Sequence, residues 1–296
     1  MRVLNSILAT LALTASTWAL SLTAIPRQHV LNLPMRSDKA LSGSAFLKKI
    51  ENYSPAKREN AIVREILRGN VPAFMRQLAP VETRMASGPY KGQIVRFWTL
   101  PDYLAVGSDQ DYIRVPLNLY SIEKLSAKLD LSLPTRKMVD EIYEAATVKL
   151  KPLPVPVSAA VASTGNIIKH HSMVQNQLTA LNAARPGIIV AGHKKDVVQS
   201  RRLAKRPHSI AIYGWHRLNA KPIQPLSTVH SADYADYSHG IRLVSNEMQI
   251  GGQNVDLRDV LSQRGMASVV SDEGTVPQHN YIAATLASRQ TLASHP

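Results

Sequence analysis

The sequence predicts an α+β protein, with a helical N-terminal part followed by a mixed or antiparallel sheet that carries histidine-rich loops. Two observations support this class. Apolar residues first recur at helical spacing, as in Ala61, Ile62, Ile66 and Leu67, and later form short extended runs such as Ile210–Trp215. Glycine and proline separate the later runs, as is typical of turns between strands.

Length and composition limit the possible chemistry. A chain of 296 residues with 45% apolar content allows one large domain or two small ones, with a sizeable core. The chain has no cysteine, which excludes thiol catalysis, iron–sulfur clusters and zinc–thiolate sites. Any covalent nucleophile would therefore be a serine, a threonine, a lysine or a carboxylate.

The N-terminus resembles a secretory signal. Arg2 supplies the positive charge, Val3–Leu13 is a short apolar run, and Thr17–Ala19 is a small-x-small cleavage site, with Ala24 as a second candidate. An uncleaved N-terminal anchor is the alternative. We expect a secreted or periplasmic protein with no transmembrane segment after cleavage, because no later apolar run is long enough to span a bilayer.

Three alternating prolines mark the main internal boundary. Pro152, Pro154 and Pro156 lie in the extended connector Lys149–Val157, which is either a linker or an edge passage. The predicted organisation is a signal peptide 1–19, an N-terminal α+β region 20–150, a His-rich basic α+β region 151–274 that carries the candidate site, and a loose tail 275–296.

The N-terminal region contains capped helices and one hairpin. The predicted helices are Ala45–Ile50 capped by Ser44, a helix from Pro55 to Gly69 capped by Ser54, Pro72–Leu78, a helix from Ser121 to Leu129, and Arg136–Ala146 capped by Thr135. The predicted extended segments are Gln93–Leu100 and the two hairpin arms Tyr103–Val106 and Tyr112–Val115. The nearby Asp102, Asp109 and Asp111 fit no EF-hand spacing, and turn formation explains them better than calcium binding.

After the connector, helix and strand patterns alternate. The predicted elements are a helix Thr164–Ala184, strands Gly187–Ala191 and Ile210–Trp215, a turn into Pro222–Leu226, strands Ile241–Val244 and Met248–Ile250, a helix Asp256–Gln263 and a strand Met266–Val270. Gly251 and Gly252 form the predicted turn after Met248–Ile250.

The stretch Gly192–Leu243 contains most of the candidate chemistry. Of ten histidines in the chain, seven fall between positions 170 and 239. They are His170, His171, His193, His208, His216, His230 and His239. Imidazole suits both proton transfer near neutral pH and metal binding. From Lys151 to His230 there are eleven basic residues and a single acid, Asp196, which should stay ionised and could orient His193.

The segment Ser238–Leu243 reads Ser-His-Gly-Ile-Arg-Leu. It resembles the catalytic loop of the L,D-transpeptidase family, Ser-His-Gly-Cys-aliphatic-Arg-Leu, in which an upstream histidine acts as base. The resemblance covers about a dozen residues, and His230 would correspond to the upstream histidine. The family's cysteine nucleophile is missing here, so the resemblance implies a related loop for a cell-wall ligand rather than transpeptidase activity. The longer pattern of the stretch is similar to that of uncharacterised secreted microbial proteins.

The same residues suggest a hydrolase or related transferase. His193 would act as a base oriented by Asp196, Ser238 as a nucleophile, and His230 or His239 as a second acid or base. The full predicted catalytic set is His193, Asp196, His216, His230, Ser238 and His239. Cations and an aromatic ring would bind the substrate, and the predicted set is Lys194, Lys195, Trp215 and Arg242.

Two alternatives remain open for this cluster. Zinc is possible, with three of His193, Asp196, His216, His230 and His239 as ligands, although no standard spacing is present. The cluster could also be a structural hydrogen-bonded layer, with Tyr213 and Trp215 in the core, His170 on the surface and His208 facing solvent.

The formal charge of +14 predicts an anionic partner. An exported protein meets cell-wall polymers and acidic polysaccharides, and the absence of a nucleic-acid-binding motif disfavours nucleic acid. We therefore expect a secreted hydrolase or transferase that acts on an anionic extracellular or cell-wall polymer. The alternatives are a non-catalytic binding protein for such a polymer and a zinc-dependent hydrolase.

Overall fold

The fold was obtained as a computed structural model that describes residues 29–156, 160–183 and 188–277, and it is α+β as predicted. The predicted signal peptide, and all of the predicted tail beyond residue 277, lie outside the described residues. Within them, the helices are α1 Gly43–Ile50, α2 Pro55–Leu67, α3 Leu119–Leu129, α4 Arg136–Ala145, α5 Thr164–Ala180 and α6 Leu257–Ser262.

The strands of the described chain are short. They are β1 Ala79–Arg84, β2 Ile94–Thr99, β3 Ala105–Gly107, β4 Tyr112–Arg114, β5 Leu131–Ser132, β6 Val148–Lys149, β7 Val190–Ala191, β8 Lys195–Val197, β9 Ile212–His216, β10 Pro222–Ser227, β11 His239–Gly240, β12 Val244–Ile250 and β13 Gln253–Asp256. None of the described helices is both long and apolar enough to cross a bilayer.

Side-chain caps fix where the helices begin. Ser54 and Thr135 cap α2 and α4 as predicted, each accepting a hydrogen bond from a backbone N–H of the first turn. The caps of α1 and α3 were predicted two and three residues too late, because Ser42 and Asn118 are the capping residues. The earlier start of α3 buries Leu119 on the helix face that meets the core.

Three predicted elements are wrong. The predicted strand Ile241–Val244 is irregular over residues 241–243, and Val244 is instead the first residue of β12. The predicted helix Pro72–Leu78 is only a single 3₁₀ turn, Ala73–Arg76, after which the chain enters β1 and pairs with β2. The predicted strand Met266–Val270 is a 3₁₀ turn, Ala267–Val269, packed beside α6. All three are short apolar runs, whose conformation is set by tertiary contacts rather than by local pattern.

The larger sheet joins both predicted regions of the chain. Its strand order is β1-β2-β12-β13, with β5 also paired to β12, and all of its ladders are antiparallel. Phe97 of β2 lies opposite Met248 of β12, and both side chains are buried. The regions on either side of residue 150 therefore share one sheet and one core.

The smaller sheet, in the order β10-β9-β8-β11, carries the histidine-rich loops. The pairs β10–β9 and β9–β8 are antiparallel, whereas β8 and β11 are parallel. The sheet is therefore mixed.

The proline-rich connector runs along the edge of the protein body. Val148 and Lys149 at its start pair in parallel with β7. Further on, the backbone N–H and C=O of Val155 both hydrogen-bond the buried hydroxyl of Tyr237, and Val155 is itself buried. Of the two interpretations of this segment, the structure favours the edge passage, because a free linker would not be anchored in this way.

Candidate functional site

Parallel pairing of β8 with β11 brings together two loops that are distant in sequence. Lys195 lies opposite His239 and Asp196 opposite Gly240, and the backbone N–H of Lys195 donates to the carbonyl of Ser238 at 2.8 Å. Gly240 is required by close packing, because a Cβ there would lie 2.5 Å from ring carbons of Tyr103. The absence of a side chain at this position lets the Tyr103 ring pack under the junction of the two loops.

His193 is oriented by Asp102 rather than by Asp196. Its Nε2 lies 3.1 Å from a carboxylate oxygen of Asp102, which also forms a buried ion pair with Arg114. Burial lowers the pKa of His193 to about 4, against the opposing effect of Asp102, so the ring is neutral at pH 7. Asp102 and Arg114 were not predicted to belong to the site. The sequence feature that could have indicated this pair is the position of a charged residue, Arg114, between the apolar residues of a short strand.

Asp196 belongs to a second buried group, with Tyr103 and Arg242. The Tyr103 hydroxyl donates to Asp196 at 2.8 Å, and Arg242 Nε lies 3.7 Å from the other carboxylate oxygen. Burial raises the pKa of Asp196 to about 6, with Arg242 opposing the rise, so the carboxylate is still mainly ionised at pH 7. The guanidinium of Arg242 also donates to the carbonyls of Leu100 and Val190. Through these contacts the buried Arg242 side chain links its own segment to the segments that contain Leu100 and Val190.

His216 forms its hydrogen bond with a residue of helix α4. Its Nε2 lies 2.9 Å from Asp140, which also accepts a hydrogen bond from the Tyr213 hydroxyl at 2.9 Å. The imidazole stacks on the ring of Tyr143 at a centroid distance of 4.6 Å. This buried histidine therefore has a complete structural environment of its own.

A fourth group, the His239 site, consists of His230, Tyr234, Asp236, Ser238 and His239. His239 is fully buried, and among the described residues neither of its ring nitrogens has a hydrogen-bond partner. His230 and Tyr234 stack on each other, with ring centroids 6.1 Å and 5.6 Å from that of His239. Both of these rings are half-exposed, so they form the part of the group that meets solvent.

Asp236 holds the polar side of the His239 site. It accepts hydrogen bonds from the Ser238 hydroxyl at 2.6 Å and from the Tyr234 hydroxyl at 2.8 Å. Burial alone would raise its pKa, but His239 and Ser238 outweigh burial and the net shift is downward. Burial lowers the pKa of His239 to about 4, with Asp236 opposing the shift. The site therefore places an ionised carboxylate beside a neutral, unpaired imidazole.

The predicted substrate-binding residues differ in exposure. Lys194 is buried, its ammonium donates to the carbonyl of Tyr237, and burial followed by Arg114 lowers its pKa to about 7. Lys195 is half-exposed and its ammonium lies 5.3 Å from the centroid of the Trp215 ring. Trp215 is buried and has φ +56°, a strained conformation for so large a side chain. Lys195 is thus the member of the predicted set that reaches the surface.

The prediction of a surface position for His170 is wrong, while His208 is exposed as predicted. His170 lies on the buried face of α5 with Ile167 and Val174, at helical spacing. Its ring is 5.1 Å from that of Tyr237, and burial lowers its pKa. A histidine can occupy an apolar helix face as a neutral ring, which the sequence pattern did not distinguish from a surface position.

The predicted zinc ligands do not converge on one point. Among the described residues, no three histidine, aspartate or glutamate side chains are grouped as a metal ion would require. His193, Asp196 and His216 instead face separate partners, namely Asp102, Tyr103 and Asp140.

No protein-family model, curated protein or solved structure matches the chain. The resemblance to the L,D-transpeptidase loop therefore stays a prediction. Ile241, which follows Gly240 where that family has its cysteine, is fully buried.

Proposed function

We propose that this protein is a secreted hydrolase, or a related transferase, that acts on an anionic extracellular or cell-wall polymer with His239 as its acid–base group. One observation carries the proposal. The buried ring of His239 has no hydrogen-bond partner among the described residues, yet it contacts the half-exposed rings of His230 and Tyr234. A substrate would reach His239 past these two side chains.

The electrostatic environment of His239 keeps its ring in the proton-accepting form. Its lowered pKa, about 4, leaves the ring neutral at pH 7, with a nitrogen lone pair that can accept a proton from water. The charge of Asp236 favours the imidazolium that would then form. Lys195, which lies opposite His239 in the β8–β11 pair, supplies positive potential for an oxyanion that develops on the substrate.

Water is a better nucleophile here than Ser238. The Ser238 hydroxyl already donates to Asp236. In this mechanism Ser238 holds Asp236 in place, and His239 activates the water.

The test is turnover by the full secreted chain on purified cell-wall sacculi and on polygalacturonate, followed as released soluble fragments. We expect His239→Gln to reduce the rate by about a hundredfold or more, the usual contribution of a general base. The matched control is His208→Gln, which changes an exposed histidine outside the site. Equal rates for the two variants, or no fragment release by the wild-type chain from either polymer, would refute the proposal.

The second candidate function is non-catalytic binding of the same class of polymer. It is favoured by burial, because five of the six predicted catalytic residues are at most 4% exposed. Under this function His239→Gln leaves polymer affinity unchanged and there is no turnover to lose. The fragment-release assay therefore distinguishes the two functions.

A further inference from the structure

A concentrated positive surface lies outside the His239 site. Arg201, Arg202, Lys205 and Arg206 fall within six consecutive residues, on and just after the 3₁₀ turn Arg201–Lys205. Arg202, Lys205 and Arg206 line a groove of about 420 Å³ whose opposite wall is the segment 226–229. We call these lining residues the basic groove.

Two of the groove's cations are held in place by its opposite wall. Arg202 Nη1 donates to the carbonyl of Leu226 at 2.8 Å, and Arg206 Nη1 donates to the carbonyl of Thr228 at 3.3 Å. Arg202 Nε also lies 3.8 Å from a carboxylate oxygen of Glu273. Each guanidinium has five N–H donors, so both arginines are oriented by these contacts and keep further donors for a ligand. This arrangement differs from a surface of freely rotating side chains.

Lys205 carries a positive charge with no polar partner among the described residues. It lines both the basic groove and a neighbouring groove that contains Asp272 and Glu273. Asp272 is paired with Arg136 at 2.8 Å, and Glu273 accepts a hydrogen bond from Ser200 at 3.0 Å and lies 3.8 Å from Arg202 Nε. Neither carboxylate forms an ion pair with Lys205, so the ammonium of Lys205 is available to a ligand.

The basic groove is adjacent to the His239 site in the sequence. Val229 lines the groove, is 74% exposed and directly precedes His230. The carbonyl of His230 accepts a hydrogen bond from the backbone of Ile210, which fixes the segment next to the groove wall. The groove wall is therefore continuous in sequence with His230, one of the two rings that contact His239.

We infer that the basic groove binds a stretch of an anionic glycan, whose phosphate or carboxylate groups meet Arg202, Lys205 and Arg206. Arginine and lysine bind such groups through charge-assisted hydrogen bonds, and two arginines held by the wall are suited to forked contacts. The lining has no aromatic ring on which a nucleobase could stack, which favours a glycan over nucleic acid. The inference rests on the proposed function for the polymer class, and on the groove for its location.

The experiment measures the affinity of the full chain for fluorescent polygalacturonate and fluorescent poly(glycerol phosphate) at low ionic strength. Lys205→Glu is the test variant, since Lys205 has no structural contact to lose. Lys48→Glu is the matched control, because Lys48 is an exposed lysine on α1 and the charge change is the same. We expect Lys205→Glu to weaken binding of at least one polymer by about tenfold, the usual loss for a charge-assisted contact, and Lys48→Glu to leave it unchanged.

The outcomes separate this inference from the proposed function. Equal weakening by the two variants would mean attraction by net charge alone and would overturn the inference. Tighter binding of a single-stranded oligonucleotide than of either glycan, again lost in Lys205→Glu, would overturn it in favour of nucleic acid. His239→Gln is expected to keep glycan affinity. If Lys205→Glu keeps affinity while His239→Gln abolishes turnover, the groove inference fails and the proposed function stands. If Lys205→Glu loses affinity while His239→Gln keeps full turnover, the groove inference stands and the proposed function fails.

Discussion

Replacing Asp102 by asparagine removes the buried negative charge that holds Arg114 and His193. The Arg114 side chain is fully buried and Asp102 is 5% exposed, so water cannot take over the solvation of the guanidinium. Removing one partner of a buried ion pair costs about 3–5 kcal/mol, because the remaining charge is left uncompensated. Asparagine keeps the oxygen that accepts from the Tyr103 backbone N–H, but an amide NH2 replaces the oxygen that accepts from Arg114 Nε and Nη2. The loss therefore includes the charge and these hydrogen bonds.

The assay is equilibrium unfolding in urea at pH 7, comparing Asp102→Asn with Asp272→Asn. Asp272 forms an ion pair with Arg136, but its side chain is 43% exposed, and exposed pairs contribute about 0–1 kcal/mol. We expect a midpoint shift for Asp102→Asn several times that of the control, at an unchanged m value. A loss below about 1 kcal/mol for Asp102→Asn would refute the view that this buried pair anchors the site.

The pH dependence gives a second measure of the same pair. Burial alone would raise the pKa of Asp102, but Arg114 and His193 outweigh it and the net shift is downward. A group with a depressed folded-state pKa stabilises the fold fully above its unfolded pKa, about 4, and loses that contribution as pH falls through the folded value. The stability difference between wild type and Asp102→Asn should therefore shrink below about pH 4. A constant difference down to acid unfolding would contradict the assignment.

Two further predictions concern packing and a buried acid. Gly240→Ala would place a Cβ 2.5 Å from the ring of Tyr103. Overpacking of this kind lowers the free energy of unfolding, measured in urea, by about 1–3 kcal/mol. The control Gly265→Ala, whose Cβ would have no neighbouring atom within 4 Å, should be nearly neutral. Equal effects of the two substitutions would refute the packing argument. Burial raises the pKa of Glu141 to about 7, with Lys137 opposing the rise. Between about pH 4.5 and 7 the folded protein therefore binds more protons at Glu141 than the unfolded chain does, so the free energy of unfolding falls as the pH rises through that range. Glu141→Gln should remove this slope, and an unchanged slope in the variant would refute the assignment.

Local signals in the sequence were sufficient where the chain's own neighbours decide the structure. Ser54 followed by Pro55 marked the start of α2, and Thr135 marked the start of α4, because a capping side chain acts within three residues. The β3–β4 hairpin was recognisable from two apolar runs around a glycine turn, and the structure pairs Ala105 with Arg114 as its register. In each case the residues whose contact determines the structure are close together in the sequence.

The composition of the site was not predictable in the same way. His193 and Asp196 are three residues apart, which suggested a pair. His193 lies in the bend before β8 and Asp196 lies within β8, and their side chains meet different partners. The actual partner of His193 is Asp102, 91 residues away, and it meets the ring only because two regions of the chain fold onto one core. Nothing in the local sequence of Asp102 distinguishes this role from turn formation.

Hydrogen bonding divides the buried histidines into two groups. His193 and His216 each donate from Nε2 to a carboxylate, although Nδ1 of His193 has no partner among the described residues. His170 lacks a partner among the described residues, but its ring contacts Tyr237 and Trp215, which are themselves buried. His239 combines unused ring nitrogens with half-exposed neighbours. An unpaired buried polar group costs about 1–3 kcal/mol. Under the proposed function this cost is offset when a water molecule or a substrate group hydrogen-bonds the ring of His239.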